Sequence, residues 1–155
     1  MVELIERFEE FTTSVTKAYK CIQKIKFAET ERMGLKSNHV MYMYYLGKNP
    51  EGLTAKELCK LCIEDKAAVS RVIVDLTEKG FVEPAEIDSG RKYRTRIILT
   101  PEGKEINKRL NEAIAMAVSK ASKSLNEAER ENFYRVFSYI TDNLEMICDS
   151  YLKEK

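Results

Sequence analysis

Lys66, Ala67, Ser70 and Arg71 stand together at the start of one segment, Asp65-Lys66-Ala67-Ala68-Val69-Ser70-Arg71. An arginine can bond one guanine edge in two places, or a phosphate. A serine hydroxyl is short and suits either target. Further along, four of the six residues in Arg91-Lys92-Tyr93-Arg94-Thr95-Arg96 are Lys or Arg. Cations so concentrated can reach a phosphate backbone or a minor groove. Arg91, Lys92 and Arg94 lie near the tip of that loop. Strand alternation puts Arg94 and Arg96 on one face. Arg96 has a structural alternative, an ion pair with an acid of the neighbouring strand such as Glu83.

Other residue types offer other chemistry. Cys59 and Cys62 form a Cys-x-x-Cys, which in a reducing compartment suggests redox work or half a zinc site. No second cysteine pair accompanies it, and the spacing faces both toward a helix interior, so core packing is the expectation. Cys21 lies among Lys17, Lys20 and Lys24, cations that lower a thiolate pKa. That makes it the redox candidate, against a plain interfacial cysteine, the reading also given to Cys148. His39 is the sole histidine, too little for a metal site, and no metal or cofactor is expected. His39, Tyr42 and Tyr45 are candidates to line an effector cleft, since Tyr offers an apolar wall with a polar handle. Core packing is the competing role for these residues. No Ser-His-Asp or Cys-His set and no Gly-rich phosphate loop appears, so catalysis has no support.

The elements that must position these residues follow from periodicity. Leu4, Ile5, Phe8, Phe11, Val15, Ala18, Tyr19, Ile22 and Ile25 recur at helical spacing, predicting one long helix over 3–28. Ser37 or Asn38 caps a second, apolar almost all round, through about Leu46. Thr54 with Glu57 makes a capping box for a short third helix. Asp65 caps a fourth that buries Ala68, Val69, Val72, Ile73 and Leu76 and stops at Gly80. Phe81-Val82-Glu83 and residues 95–99 read as two strands, the first on an edge because of Pro84. Thr100-Pro101-Glu102 opens a helix to about Ser124, and Asn126-Glu127 starts a last one. A helix pair followed by a cationic hairpin is a device for reading double-stranded DNA, one helix in the major groove and the wing beside it.

The 155 residues suit one domain, and the few prolines and glycines leave little loop. The fold class expected is mainly α with a small β-hairpin wing: a winged helix-turn-helix (35–100) flanked by long dimerisation helices (1–34 and 101–155), in a single domain. The apolar stripes of the end helices exceed what one small domain covers, which suggests a helical homodimer. A net charge of +1 leaves nucleic acid open, because a local basic patch can bind it. No membrane span or signal peptide is read, and cytoplasmic residence is the expectation.

Three runs together carry a resemblance: Leu53-Thr54-x-x-Glu57-Leu58; Asp65-Lys66-x-x-Val69-Ser70-Arg71-x-x-x-x-Leu76-x-x-Lys79-Gly80-Phe81-Val82; and Leu99-Thr100-Pro101-Glu102-Gly103. In this order and spacing the chain resembles the MarR family of winged-helix regulators, over essentially its whole length. The resemblance implies a homodimer on a palindromic DNA operator, acting as a repressor that a small-molecule effector releases. Some relatives sense oxidants through a thiol in the first helix, which would give Cys21 that role. A winged module that binds protein instead of DNA is a further alternative. Family members commonly carry Asp-x-Arg in the wing, nine residues before the Thr of the next helix. Here that offset falls on Arg91 and the third position on Tyr93, leaving Arg91 or Arg94 to take the arginine's place.

Overall fold

The computed structural model of the protein describes residues 1–86 and 95–153. Among them the order is α1 (Val2–Glu31), α2 (His39–Lys48), α3 (Ala55–Cys62), α4 (Lys66–Glu78), β1 (Val82–Pro84), β2 (Ile97–Leu99), α5 (Pro101–Ala121) and α6 (Glu127–Lys153). This is the mainly helical chain with a two-stranded wing that the periodicities predict. Tertiary contacts divide it into two compact units, Met1–Ile114 and Ala115–Lys155.

The core of the first unit gathers around α2, whose Val40, Tyr42, Met43 and Leu46 are buried. Leu58 of α3, Val69, Val72 and Leu76 of α4, Val82 and Leu99 of the hairpin, and Leu110 of α5 close over them. α2 runs to Lys48, one half-turn past the expected stop. Its N-cap is Asn38, but that side chain makes no capping bond. Instead, His39 Nδ1 accepts from the Lys36 amide at 3.2 Å.

α3 starts as its capping box requires: the Glu57 amide donates to Thr54 Oγ1 at 3.2 Å, and the Thr54 amide to Glu57 Oε2 at 2.7 Å. It ends at Ile63, held in the left-handed region at φ 56, ψ 48. Asp65 then caps α4, accepting from the Ala68 amide at 2.7 Å. α4 stops at Gly80, whose φ of +72 a glycine adopts without penalty.

The hairpin is antiparallel, pairing Val82 with Leu99, Glu83 with Ile98 and Pro84 with Ile97. The other edge of β2 is also taken. Leu53 donates to Ile97 O at 3.0 Å and accepts from the Ile97 amide at 2.8 Å. Arg96 differs from the strand-neighbour alternative. Its Nη1 donates to Gly52 O at 2.6 Å and lies 3.7 Å from Glu57 Oε2, not against Glu83. The Leu53 bridge carries the Gly52 carbonyl to β2 and decides this.

Thr100 fastens α5 to the hairpin base. Its amide donates to Phe81 O, its hydroxyl donates to Gly80 O at 2.6 Å, and its Oγ1 accepts from the Gly103 amide at 3.0 Å. Gly103 sits so close that a Cβ there would overlap the Phe81 carbonyl oxygen. The first unit also holds α1, where Thr30 is buried while Leu4, Phe8, Tyr19 and Phe27 stay exposed.

In the second unit α5 ends at Ala121, short of the expected Ser124, and α6 opens with its own capping box between Asn126 and Glu129. Arg130 Nη2 donates to Ser122 O at 3.2 Å, closing the turn. Phe133 and Phe137 stack at 5.5 Å, and α6 buries none of its 27 residues. No described helix is long and apolar enough to cross a membrane.

Candidate nucleic-acid interface

α4 presents two faces. Val69, Val72 and Leu76 are buried against α2 and α3, while Lys66, Ala67, Ser70 and Arg71 are exposed. The three- and four-residue steps of the buried set place the four candidates together on the outside, at the capped end. The buried side orients the helix and the cap fixes where it starts. Val74, absent from the sequence-based candidates, is 54% exposed on the same outer face. An apolar residue among polar ones at that spacing is the signal that marks it. Such a side chain can meet a thymine methyl in a major groove. The wing candidates Arg91, Lys92 and Arg94 lie outside the described residues.

Beside Arg71 a recess of about 260 Å³ is lined by Lys36, Asn38, His39, Ala68, Arg71, Val72 and Asp75. His39 is 0% exposed there, with Nε2 3.1 Å from Asp75 Oδ2. That N–H is not aligned for a full hydrogen bond, so the contact is one of charge and proximity. The Lys36 ammonium pairs with the same oxygen. Its hydrogen bond and charge hold the Asp75 carboxyl below the usual carboxylate range. Burial keeps His39 below its ordinary pKa of 6.5, against the pull of Asp75, and Lys36 adds to the depression.

The structure separates the three effector candidates. His39 lines this recess, whereas Tyr42 and Tyr45 do not. Tyr42 is 2% exposed and Tyr45 packs against the same core. Burial, then the nearby Cys62, push the Tyr42 phenol up to about 12. Cys59 and Cys62 are half-buried and pack on the core, as their spacing suggests. Burial pushes the Cys62 thiol up to about 11. Cys21 is exposed, in an open groove along α1 with Thr16, Lys17, Lys20 and Lys24. Among the described residues no three His, Cys, Asp or Glu side chains gather as a metal set.

A MarR-family model matches residues 33–92. No curated protein matches the sequence. Solved structures share the fold at low identity. A putative MarR-family transcriptional regulator from Listeria monocytogenes, complexed with 26mer DNA, superposes with a TM-score of 0.78 at 16% identity, over 86% of this chain and 87% of that one. The S. aureus MepR–DNA complex gives 0.77 at 16%, over 86% and 97%. Another MarR-family transcription regulator gives 0.82 at 17%, over 96% and 97%. Residues 33–92 thus match the MarR family in sequence, and nearly the whole chain is similar in fold to solved MarR-family regulators.

Proposed function

We propose that the protein is a homodimeric repressor that reads a palindromic operator through α4 and is released by a small-molecule effector. The observation that carries the reading is the outer face of α4. Lys66, Ala67, Ser70, Arg71 and Val74 are exposed on a helix whose opposite face is locked into the core. Two copies would set two such helices in successive major grooves, roughly 34 Å apart. The Listeria regulator and MepR, each solved with DNA, support the partner class. Exposed apolar side chains on α1 (Leu4, Phe8, Phe27) and α6 (Leu144, Ile147, Tyr151) support the dimer.

A mobility-shift titration of the protein on its own upstream DNA, across a salt series, tests the reading. Saturable, sequence-selective binding that weakens steeply with salt is the expected result. Arg71→Ala should cost about 1–3 kcal/mol if the guanidinium grips a guanine, and leave the dimer intact. An unchanged affinity removes Arg71 from the interface. Refusal of every duplex in a random library would give first place to a protein-binding winged module.

A second reading rests on the exposure of Cys21 beside Lys17, Lys20 and Lys24. There oxidation of Cys21 by peroxide releases the DNA. Peroxide that leaves the shift intact, or a Cys21→Ser variant that still responds, rules it out.

A further inference from the structure

We propose that His39 is a positioning residue for DNA reading: neutral, it braces α4 against the turn before α2, and on gaining a proton it releases that brace and weakens binding. The inference rests on the regulator reading above and adds a control to it.

The geometry assigns the proton. His39 Nδ1 accepts from the Lys36 amide at 3.2 Å, so that nitrogen carries no hydrogen. The proton of the neutral ring therefore sits on Nε2, 3.1 Å from Asp75 Oδ2. Asp75 stands one turn beyond Arg71 on α4, where positions four apart are neighbours. Through Asp75 the DNA-facing helix is tied to the Lys36 turn twice, once by the imidazole and once by the Lys36 ammonium.

A second proton must go to Nδ1, where it would meet the Lys36 N–H head on, donor against donor. The ring is fully buried and cannot turn that edge to water without leaving its seat. The charged groups around it are Lys36 from the turn, and Asp75, Lys79 and Arg71 from α4. Three are cations, and the one acid already holds Lys36. Burial is the largest cause of the depressed His39 pKa; Asp75 pulls the other way, and Lys36 and Lys79 add to the depression. Protonation therefore ejects the ring or opens the turn, and α4 loses its link. The sign sets this apart from plain electrostatics: a cation gained near a polyanion should tighten binding, whereas losing the brace loosens it.

The chain has one histidine, so imidazole NMR of the intact protein reads His39 without assignment. The expected spectrum is that of the Nε2–H tautomer, with a titration midpoint below 6.5. Affinity for the selected operator duplex, at constant ionic strength, should fall about tenfold or more between about pH 7.5 and 5.5, the range a histidine spans. By linkage, adding the duplex should lower the midpoint further. His39→Gln, which cannot titrate, should bind with an affinity flat in pH. If that variant does not fold, the duplex-induced midpoint shift in the unaltered protein decides. An Nδ1–H tautomer, affinity that rises in acid, a midpoint unmoved by DNA, or pH dependence surviving in His39→Gln overturns the brace. Absence of binding at any pH overturns the regulator reading as well, whereas pH-flat binding by the unaltered protein overturns the brace alone.

Discussion

Among the described residues Ile63 is the one non-glycine at positive φ. A β-branched side chain at φ 56 is disfavoured by contact between its Cβ and the following carbonyl. It is also 91% exposed and so gains nothing by burial. Ile63→Gly should raise stability by about 1 kcal/mol, read as a later midpoint in chemical denaturation. His39 and Asp75 give a pH dependence of the same quantity. Between the depressed folded pKa of His39 and its ordinary 6.5, the unfolded chain binds more protons than the folded one. The stability from keeping His39 neutral is complete above 6.5 and is lost as pH falls through that window. The depressed Asp75 carboxyl acts the same way at lower pH, its contribution draining away below 3.8. Urea midpoints should therefore drop from about pH 7 to pH 5, and His39→Gln should flatten that drop. Cys62, with its thiol pushed up to about 11, should be alkylated more slowly near neutral pH than Cys21 or Cys148, both exposed.

Helices that begin with a side-chain cap were legible in the sequence to the residue. Thr54 with Glu57 and Asp65 each declare a start by a local bond, and the structure makes those bonds. The start of α2 was not legible in that way. There the Lys36 amide, in the turn before the helix, is answered by the ring of His39 three residues on, a pattern no capping preference describes. The Leu53 bridge was missed for a different reason. A single paired residue has no period, and its partner Ile97 is remote in sequence, so only the fold shows it. From that bridge follows the Arg96 partner, which strand alternation alone could not supply. On α4 the buried stripe gave away the outer face, while Val74 escaped because attention to polar residues passes over an apolar one. The hairpin and α5 approach closely at Gly103, which tests that join. Gly103→Ala drives a methyl into the Phe81 carbonyl oxygen, which a backbone cannot yield cheaply. A loss of about 2 kcal/mol is expected, measured by denaturation, with β1 or the first turn of α5 displaced.

At the scale of the whole molecule, α1 and α6 share one property, a run of exposed apolar side chains. Their apolar stripes were plain in the sequence, and their exposure in the single chain confirms that the surplus is real: Phe8 is 68% and Ile147 51% exposed. The proposed second copy is a matter of assembly, which a periodicity within one chain does not encode. Ile147→Asp places a charge on that face and should shift sedimentation from dimer to monomer, abolishing operator binding while α3 and α4 keep their fold. A dimer that survives the change would move the interface elsewhere. If the proposed dimer forms through α6, none of whose residues is buried in the single chain, part of that helix's folding free energy comes from encounter with a second copy and scales with protomer concentration. A freshly synthesised chain in a cell holding few copies would stay longer in a protease-accessible state. The intracellular level of such a regulator would then show a threshold, with scarce molecules cleared and abundant ones protecting each other.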